Sequence, residues 1–373
     1  MKVPPAEIIR REIAACGVLS FARFMELALY CPETGYYETK KDNVGRRGDF
    51  YTSVGTGELF GELLAFQFAE WLGTEAGNPR SEVRIVEAGA HDGKLAKDIL
   101  NWLQSHRPKI FERLQYVIIE PSARRQEWQK ATLKQFAPHI RSYNQLSTIN
   151  QPLTGIIFSN ELLDAFPVHR LGWDAKIKKW FEWGVGVTGE KFVWSRMPKP
   201  VHDPRFTIHA PPGLESVLPD GYTIEISPAA EDWWRAAANI LARGKLLTID
   251  YGFTADELFS PSRIRGTLRA YFRHHVTDDI LANVGEQDLT AHINFSAIQK
   301  TGEEVGLKTD SFSTQTKFLT QILGKLQKDK SFGEPDASPR GEDGWNASRT
   351  RQFQTLTHPE HLGRAFRVLV QSK

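Results

Sequence analysis

The chain has 373 residues, 40% hydrophobic and 25% charged, close to the globular average, which excludes a disordered chain, a collagen-like fibre and a disulfide miniprotein. Lysine and arginine total 47 against 45 aspartate and glutamate, a formal charge of +2, without the basic excess of a nucleic-acid binder. The two cysteines, Cys16 and Cys31, build neither a disulfide framework nor a four-thiolate metal centre, and point to a reducing compartment.

The opening stretch, MKVPPAEIIRREIAACG, has no apolar core of signal-peptide type, and Glu7 and Glu12 argue against a transit peptide. No apolar run approaches the ~18–20 residues that span a bilayer, so a cytosolic (cytoplasmic) protein without membrane insertion is expected. Residues 1–80 read as a mainly helical cap, in which Phe60, Leu63, Leu64, Phe68, Trp71 and Leu72 make one packing stripe. From residue 83 onward, short apolar β-branched runs alternate with helical patterns. Strands are predicted over 83–87, 116–120, 155–159, 223–226, 245–250 and 366–370, several apolar on both faces as in a helix-covered parallel sheet. Leu95, Ile99, Trp102 and Leu103 predict a helix between the first two strands. Ser227 and Pro228 predict the start of another, carried on by Trp233, Ala237, Ile240 and Leu241 and stopped at Gly244. The repetition predicts a doubly wound α/β core over 81–373. That core is interrupted by a hairpin insertion near 172–221, by a polar insertion over 255–300 with no obvious core element, and by a mobile, glycine- and proline-rich loop over 325–348.

The first core strand runs into Glu87-Ala88-Gly89-Ala90-His91-Asp92-Gly93. A strand, a glycine-bearing turn and a helix bring a nucleotide-like ligand onto a helix N-terminus, although the pattern is neither a clean G-x-G-x-x-G nor a phosphate loop. The next strand ends at Glu120, placed to accept both hydroxyls of an adenosine ribose; the alternative is a surface carboxylate opening the helix after Pro121 and Ser122. Another strand ends in Asn160, Glu161 and Asp164, where one helical turn would put both carboxylates on one side; capping by Asn160 is the plainer reading. A later strand ends in Asp250-Tyr251-Gly252. All four lie at carboxyl ends of strands, where open α/β sheets bind ligands. Residues 47–53, 266–271 and 288–295 are polar without helical or strand logic. His358 and His361 have H-x-x-H spacing but no acidic or thiol co-ligands, and no metal site is expected.

The stretches GYY at 35–37, GDFYTS at 48–53, VEAGAHDGKLAKDIL at 86–100, NELLDAFPVHR at 160–170, IDYG at 249–252, GTLRAY at 266–271 and DLTAHINF at 288–295 follow in order. Together they resemble the MidA-like family of S-adenosylmethionine-dependent methyltransferases, whose mitochondrial members are complex I assembly factors that methylate an arginine on a complex I subunit. The resemblance implies a Rossmann-like class I methyltransferase: a seven-stranded, mostly parallel sheet with its last strand antiparallel between earlier ones, an N-terminal helical segment and insertions. It implies that Glu87, Gly89 and Gly93 hold the methionine part of S-adenosyl-L-methionine and Glu120 its ribose. Gly48, Asp49, Thr52 and Ser53 would close over the pocket, and Asn160 is counted with the cofactor-binding residues. The chain departs from the family at His91, where a third glycine is usual.

Transfer needs a nucleophile in line with the sulfonium methyl. An arginine stays protonated in solution, so carboxylates must orient the guanidinium and localise its charge. Glu161 is the first candidate and Asp164 the second; His292 is the candidate proton acceptor, since imidazole titrates near neutrality. The expected activity is methylation of arginine on a protein acceptor, a respiratory complex I subunit by resemblance, with no nucleic acid involved. Two alternatives are a non-catalytic assembly factor, suggested by His91, and a nicotinamide-dependent oxidoreductase, disfavoured by the missing dinucleotide fingerprint.

Overall fold

The computed structural model describes residues 2–39, 52–75, 82–149, 152–198, 208, 213–260, 263–273, 275–329, 345–359 and 362–373. Its main sheet contains, in chain order, β1 (Val83–Ala88), β2 (Leu114–Ile119), β3 (Ile140–Tyr143), β4 (Leu153–Asn160), β5 (Leu241–Phe253), β6 (Lys308–Thr314) and β7 (Phe366–Ser372). Their spatial order is β3-β2-β1-β4-β5-β7-β6. The first five are parallel, and β7 lies antiparallel between β5 and β6, as the resemblance implied. An eighth strand, Ile293–Asn294, pairs with Gly252 and Phe253 of β5. The expected count of seven is thus one short, because β5 runs past the last residue of β4, Asn160, which pairs with Ile249, and its free ladder groups are taken by the eighth strand.

Alternate residues of the central strands enter two cores. Ile85, Ile118, Phe158 and Leu247 pack beneath the helices Leu59–Glu75, Lys94–His106 and Gln315–Leu326. On the other face Val86, Val117, Ile157 and Leu246 pack beneath Pro228–Ile240 and Phe295–Glu304. Each such side chain contributes ~1.5–3 kcal/mol on burial, which explains strands apolar on both faces. The stripe from Phe60 to Leu72 is a packing face of the main core. The helices Pro5–Cys16 and Phe21–Tyr30 instead pack in a separate cluster with Val168, Val185 and Leu289.

Three expectations are corrected. The strand Thr223–Ile226 belongs to a second, antiparallel sheet, where it pairs with His169–Asp174; an apolar run buried on both faces does not say which sheet buries it. That sheet also holds the expected hairpin, Lys179–Thr188 with Lys191–Arg196. Gly244 does not stop the helix, which ends at Ile240; it lies within β5, where an added Cβ would stand 1.8 Å from the Gly155 carbonyl oxygen. The 255–300 region has core elements: a small sheet of Arg269–Phe272, His275–Thr277 and Asp288–Thr290, and the helix Phe295–Glu304, capped by Asn294 and burying Ala297 and Ile298. Of the loop expected over 325–348, residues 330–344 lie outside the described residues; before them runs the end of Gln315–Leu326, and after them Asn346 caps Ala347–Thr357.

Candidate active site

After β3 the chain crosses to β4 on the other side of β1, so strand order reverses between β1 and β4, the point where such sheets bind ligands. The carboxyl ends of β1, β2, β4 and β5 open there on a cleft of about 1720 Å³. The N-terminal segment ties itself to three sides of this cleft. Tyr30 Oη donates to the Ala165 carbonyl at 2.8 Å, Tyr37 Oη to Asp288 Oδ1 at 2.8 Å, and Ser122 Oγ donates to Glu38 Oε2 at 2.8 Å.

On the β1–β2 side each acid has an internal donor. Glu87, 2% exposed, accepts the Tyr116 hydroxyl at 2.7 Å; burial nevertheless pushes its carboxyl up to about 7. Glu120 is 1% exposed, which rules out the surface-carboxylate reading. Its Oε1 accepts the Ser122 amide at 2.9 Å and pairs with Arg125 at 3.0 Å, and its Oε2 accepts Gln129 at 3.4 Å. Burial raises its pKa against these partners. Gly89 has φ +77°, and an added Cβ would lie 2.9 Å from Leu162 Cδ1. Gly93, at φ +84°, opens the helix Lys94–His106 in the left-handed region. Between them His91 carries φ +47°, a conformation that favours glycine. Its ring centroid lies 6.0 Å from that of Trp128, and its carbonyl accepts Gln129 Nε2 at 3.0 Å.

On the β4–β5 side the acids face one another. Glu161 follows β4 in the left-handed region, φ +53°, rather than in a helix. The turn Leu163–Ala165 still brings Asp164 to the same cleft. Asn160 does not cap: its Nδ2 donates to Glu161 Oε1 at 3.1 Å, and its buried Oδ1 has no hydrogen-bond partner among the described residues. Burial, reinforced by Asp164, lifts Glu161 to about 8. Burial also lifts Asp164 to about 6, although its carboxyl is hydrogen bonded to Asp250. Asp250 is fully buried and does not line the cleft.

Thr52 lines the cleft. Ser53 does not: it is fully buried, its hydroxyl donates to Gln315 Oε1 at 3.1 Å, and its backbone N–H donates to Glu161 Oε1 at 3.3 Å. Gly48 and Asp49 lie outside the described residues. His292 lines the cleft, stacked on Phe253 with centroids 4.8 Å apart, its amide donating to Thr267 Oγ1 at 3.1 Å. The expectation that it titrates near neutrality does not hold: burial, helped by Arg269, pushes its imidazole down to about 4. Sequence reasoning gave no role to Tyr30, Tyr37, Asp288 or Arg125; GYY and DLTAHINF contained two of them without showing that they meet. Among the described residues no group of three or more His, Cys, Asp or Glu could hold a metal ion, and no helix is long and apolar enough to cross a membrane.

The fold and cleft define an α/β methyltransferase. A family model described as "Putative S-adenosyl-L-methionine-dependent methyltransferase" matches residues 63–313, and the chain belongs to that family. A Burkholderia thailandensis protein crystallised with S-adenosyl-homocysteine is 30% identical, with TM-score 0.82, covering 99% of this chain and 92% of its own. The Drosophila melanogaster "Protein arginine methyltransferase NDUFAF7 homolog, mitochondrial" is 26% identical across 98% of this chain and 84% of its own length. The Danio rerio "Protein arginine methyltransferase NDUFAF7, mitochondrial" is 26% identical across 95% and 83%. The chain is an S-adenosylmethionine-dependent methyltransferase. The cytosolic location expected from the sequence is overturned, since these curated relatives are named as mitochondrial.

Proposed function

We propose that this methyltransferase acts on an arginine guanidinium of a protein acceptor. The observation that carries the reading is the β4–β5 acid group: Glu161, Asp164 and Asp250 are held together with no ion pair to a basic side chain among the described residues. Buried carboxyls that raise one another's pKa are ionised most readily by an incoming cation. The cleft supplies two places for one, the sulfonium and the acceptor.

The residues fit the cofactor. Gly89 leaves room for backbone approach, the orphaned Asn160 Oδ1 offers an acceptor, and two buried acids stand on successive strand ends. In this reading Glu87, Gly89, Gly93 and Asn160 hold the methionine part and Glu120 Oε2 takes a ribose hydroxyl. The N-terminal cap contributes Thr52 to the pocket, with Ser53 bracing Glu161 from behind. S-adenosyl-L-methionine supplies an electrophilic methyl on a cationic sulfur. Glu161 orients the guanidinium, localises its charge and leaves a nitrogen lone pair facing the methyl; Asp164 assists. The proton released goes to the carboxyls rather than to His292, whose imidazole burial makes a weak base.

The relatives' printed names and the aromatic, acidic cleft support an arginine acceptor, and the family resemblance points to a respiratory complex I subunit. A complex I preparation should be incubated with the protein and S-adenosyl-L-methionine and its peptides sequenced by mass spectrometry. One-methyl increments on arginine are expected. Methylation confined to lysine or carboxylate side chains, by protein that binds S-adenosyl-homocysteine, would overturn the arginine reading.

A further inference from the structure

Asp250 stands at a strand end, where the sequence placed a ligand contact, yet it is fully buried and does not line the cleft. Besides its hydrogen bond to Asp164, its carboxylate serves the backbone. Oδ2 accepts the amides of Leu162 at 3.1 Å and Leu163 at 2.8 Å, and Oδ1 accepts its own following amide, Tyr251, at 2.8 Å. Leu162 and Leu163 follow Glu161, which is held in the left-handed region while its own amide donates to the Ile249 carbonyl at 2.9 Å. A left-handed glutamate persists only where its surroundings over-determine it. Here β5 supplies both restraints, from Ile249 and from Asp250.

We propose that Asp250 is a positioning residue for methyl transfer: by holding the amides of Leu162 and Leu163 it fixes the turn that aims Glu161 into the cleft. The inference rests on the reading that Glu161 meets the acceptor. A helical or extended Glu161 would carry its carboxylate elsewhere, and a misplacement of about 1 Å costs roughly 100-fold in rate. An apolar residue at 250 would leave the buried Leu163 amide and the part-buried Leu162 amide without this acceptor, so the carboxylate is required for the shape of the turn even though Asp250 does not line the cleft. The charged groups facing Asp250 are Asp164, its hydrogen-bond partner, and Glu161. Its cross-strand neighbour on β7, Arg367, is turned to Glu257 at 2.7 Å. No basic side chain among the described residues is thus paired with Asp250.

The test uses full-length native protein and Asp250→Asn, both labelled with ¹⁵N-leucine. Asn keeps the size and one acceptor but puts an NH₂ against a backbone amide. The expected result is a folded variant that binds S-adenosyl-homocysteine within about threefold of native, with the Leu162 and Leu163 amide resonances displaced and methyl transfer to arginine down roughly 100-fold. Unmoved amide resonances, or transfer within about threefold of native, would overturn the proposal. Should Asp250→Asn fail to fold, amide hydrogen exchange of the native protein decides: the Leu162 and Leu163 amides must be protected if Asp250 holds them, and unprotected exchange rules the restraint out. If native protein binds S-adenosyl-homocysteine but methylates no arginine, the proposed acceptor fails, while the amide measurements still decide the role of Asp250.

Discussion

The two sides of the cleft bury their acids by opposite means. On the β1–β2 side, Glu87 has a tyrosine hydroxyl and Glu120 an amide, a glutamine and an arginine. On the β4–β5 side, Glu161, Asp164 and Asp250 meet amides, Asn160 and one another. The first arrangement gives each acid a donor of its own and suits a ligand bound through hydrogen bonds in fixed geometry. The second holds more potential negative charge than its surroundings neutralise, which suits a site whose last member arrives with the acceptor. In the proposed reading, cofactor binding falls mainly to the first side and transfer to the second.

The sharpest way to break that division is Glu161→Gln, which keeps size and one acceptor but removes the charge. Single-turnover transfer should fall by roughly 10²–10³, about 2.7–4 kcal/mol, while cofactor affinity changes by less than about 1 kcal/mol, because the cofactor's proposed contacts lie mainly on neighbouring strand ends. Near-normal transfer would remove Glu161 from the chemistry, and a collapse of binding would move it to the cofactor side. The converse variant, Glu120→Gln, should weaken S-adenosyl-homocysteine by about 1.5–3 kcal/mol, the scale of a lost hydrogen bond to a charged group. At saturating cofactor its transfer rate should stay near native. Unchanged affinity by calorimetry would take Glu120 out of the ribose role.

Those variants concern residues whose positions along the strands were legible and whose partners were not. The parallel core was readable because residues such as Ile85 and Val86 are both buried, on opposite faces, and leave an unbroken apolar run. The 255–300 insertion was unreadable because hydrogen bonds as well as apolar periodicity bury it. Glu225 accepts the Thr267 amide at 2.6 Å and its hydroxyl at 3.1 Å, and Gln287 donates to the carbonyls of Asp279 at 3.2 Å and Ile280 at 2.9 Å. Asp250 shows the same limit at the site: composition places an acid at a strand end, but only the neighbouring turn decides whether it faces ligand or backbone. His292 shows it for chemistry, since a histidine's ordinary pKa says nothing of the phenylalanine and arginine around it.

The comparison also has a pH signature. Glu87 rises from 4.5 to about 7, Asp164 from 3.8 to about 6 and Glu161 from 4.5 to about 8. An acid whose folded pKa is raised binds more protons folded than unfolded between the two values, so stability falls as pH rises through that window. Protein free of ligand should therefore lose stability from about pH 4 to about pH 8, measured as urea midpoint at constant ionic strength. Glu161→Gln should flatten the upper part of the fall, between about pH 6 and 8. A midpoint rising across the whole window would mean that these acids have cationic partners when folded, and the contrast between the two sides would go with it.

The smallest effect belongs to His91, which tests whether the β1 turn is as complete as its hydrogen bonds suggest. The residue holds a left-handed backbone at φ +47°, which costs a non-glycine residue roughly 1–2 kcal/mol. Its side chain recovers part of that by leaning on Trp128. His91→Gly removes the strain and the contact together, and adds unfolded-state entropy. A net change within about 1 kcal/mol in either direction is expected by chemical denaturation. Affinity is the more telling readout. His91 lines the cleft about a quarter exposed, but its ring is near Trp128, so S-adenosyl-homocysteine should bind His91→Gly within about threefold of native. A tenfold tightening would show that the imidazole crowds the methionine part, and that the β1 side, like the β4–β5 side, is shaped by an unresolved conflict. Unchanged affinity would leave the histidine as a tolerated strain in a turn otherwise built for glycine, and would remove the feature that suggested a non-catalytic assembly factor.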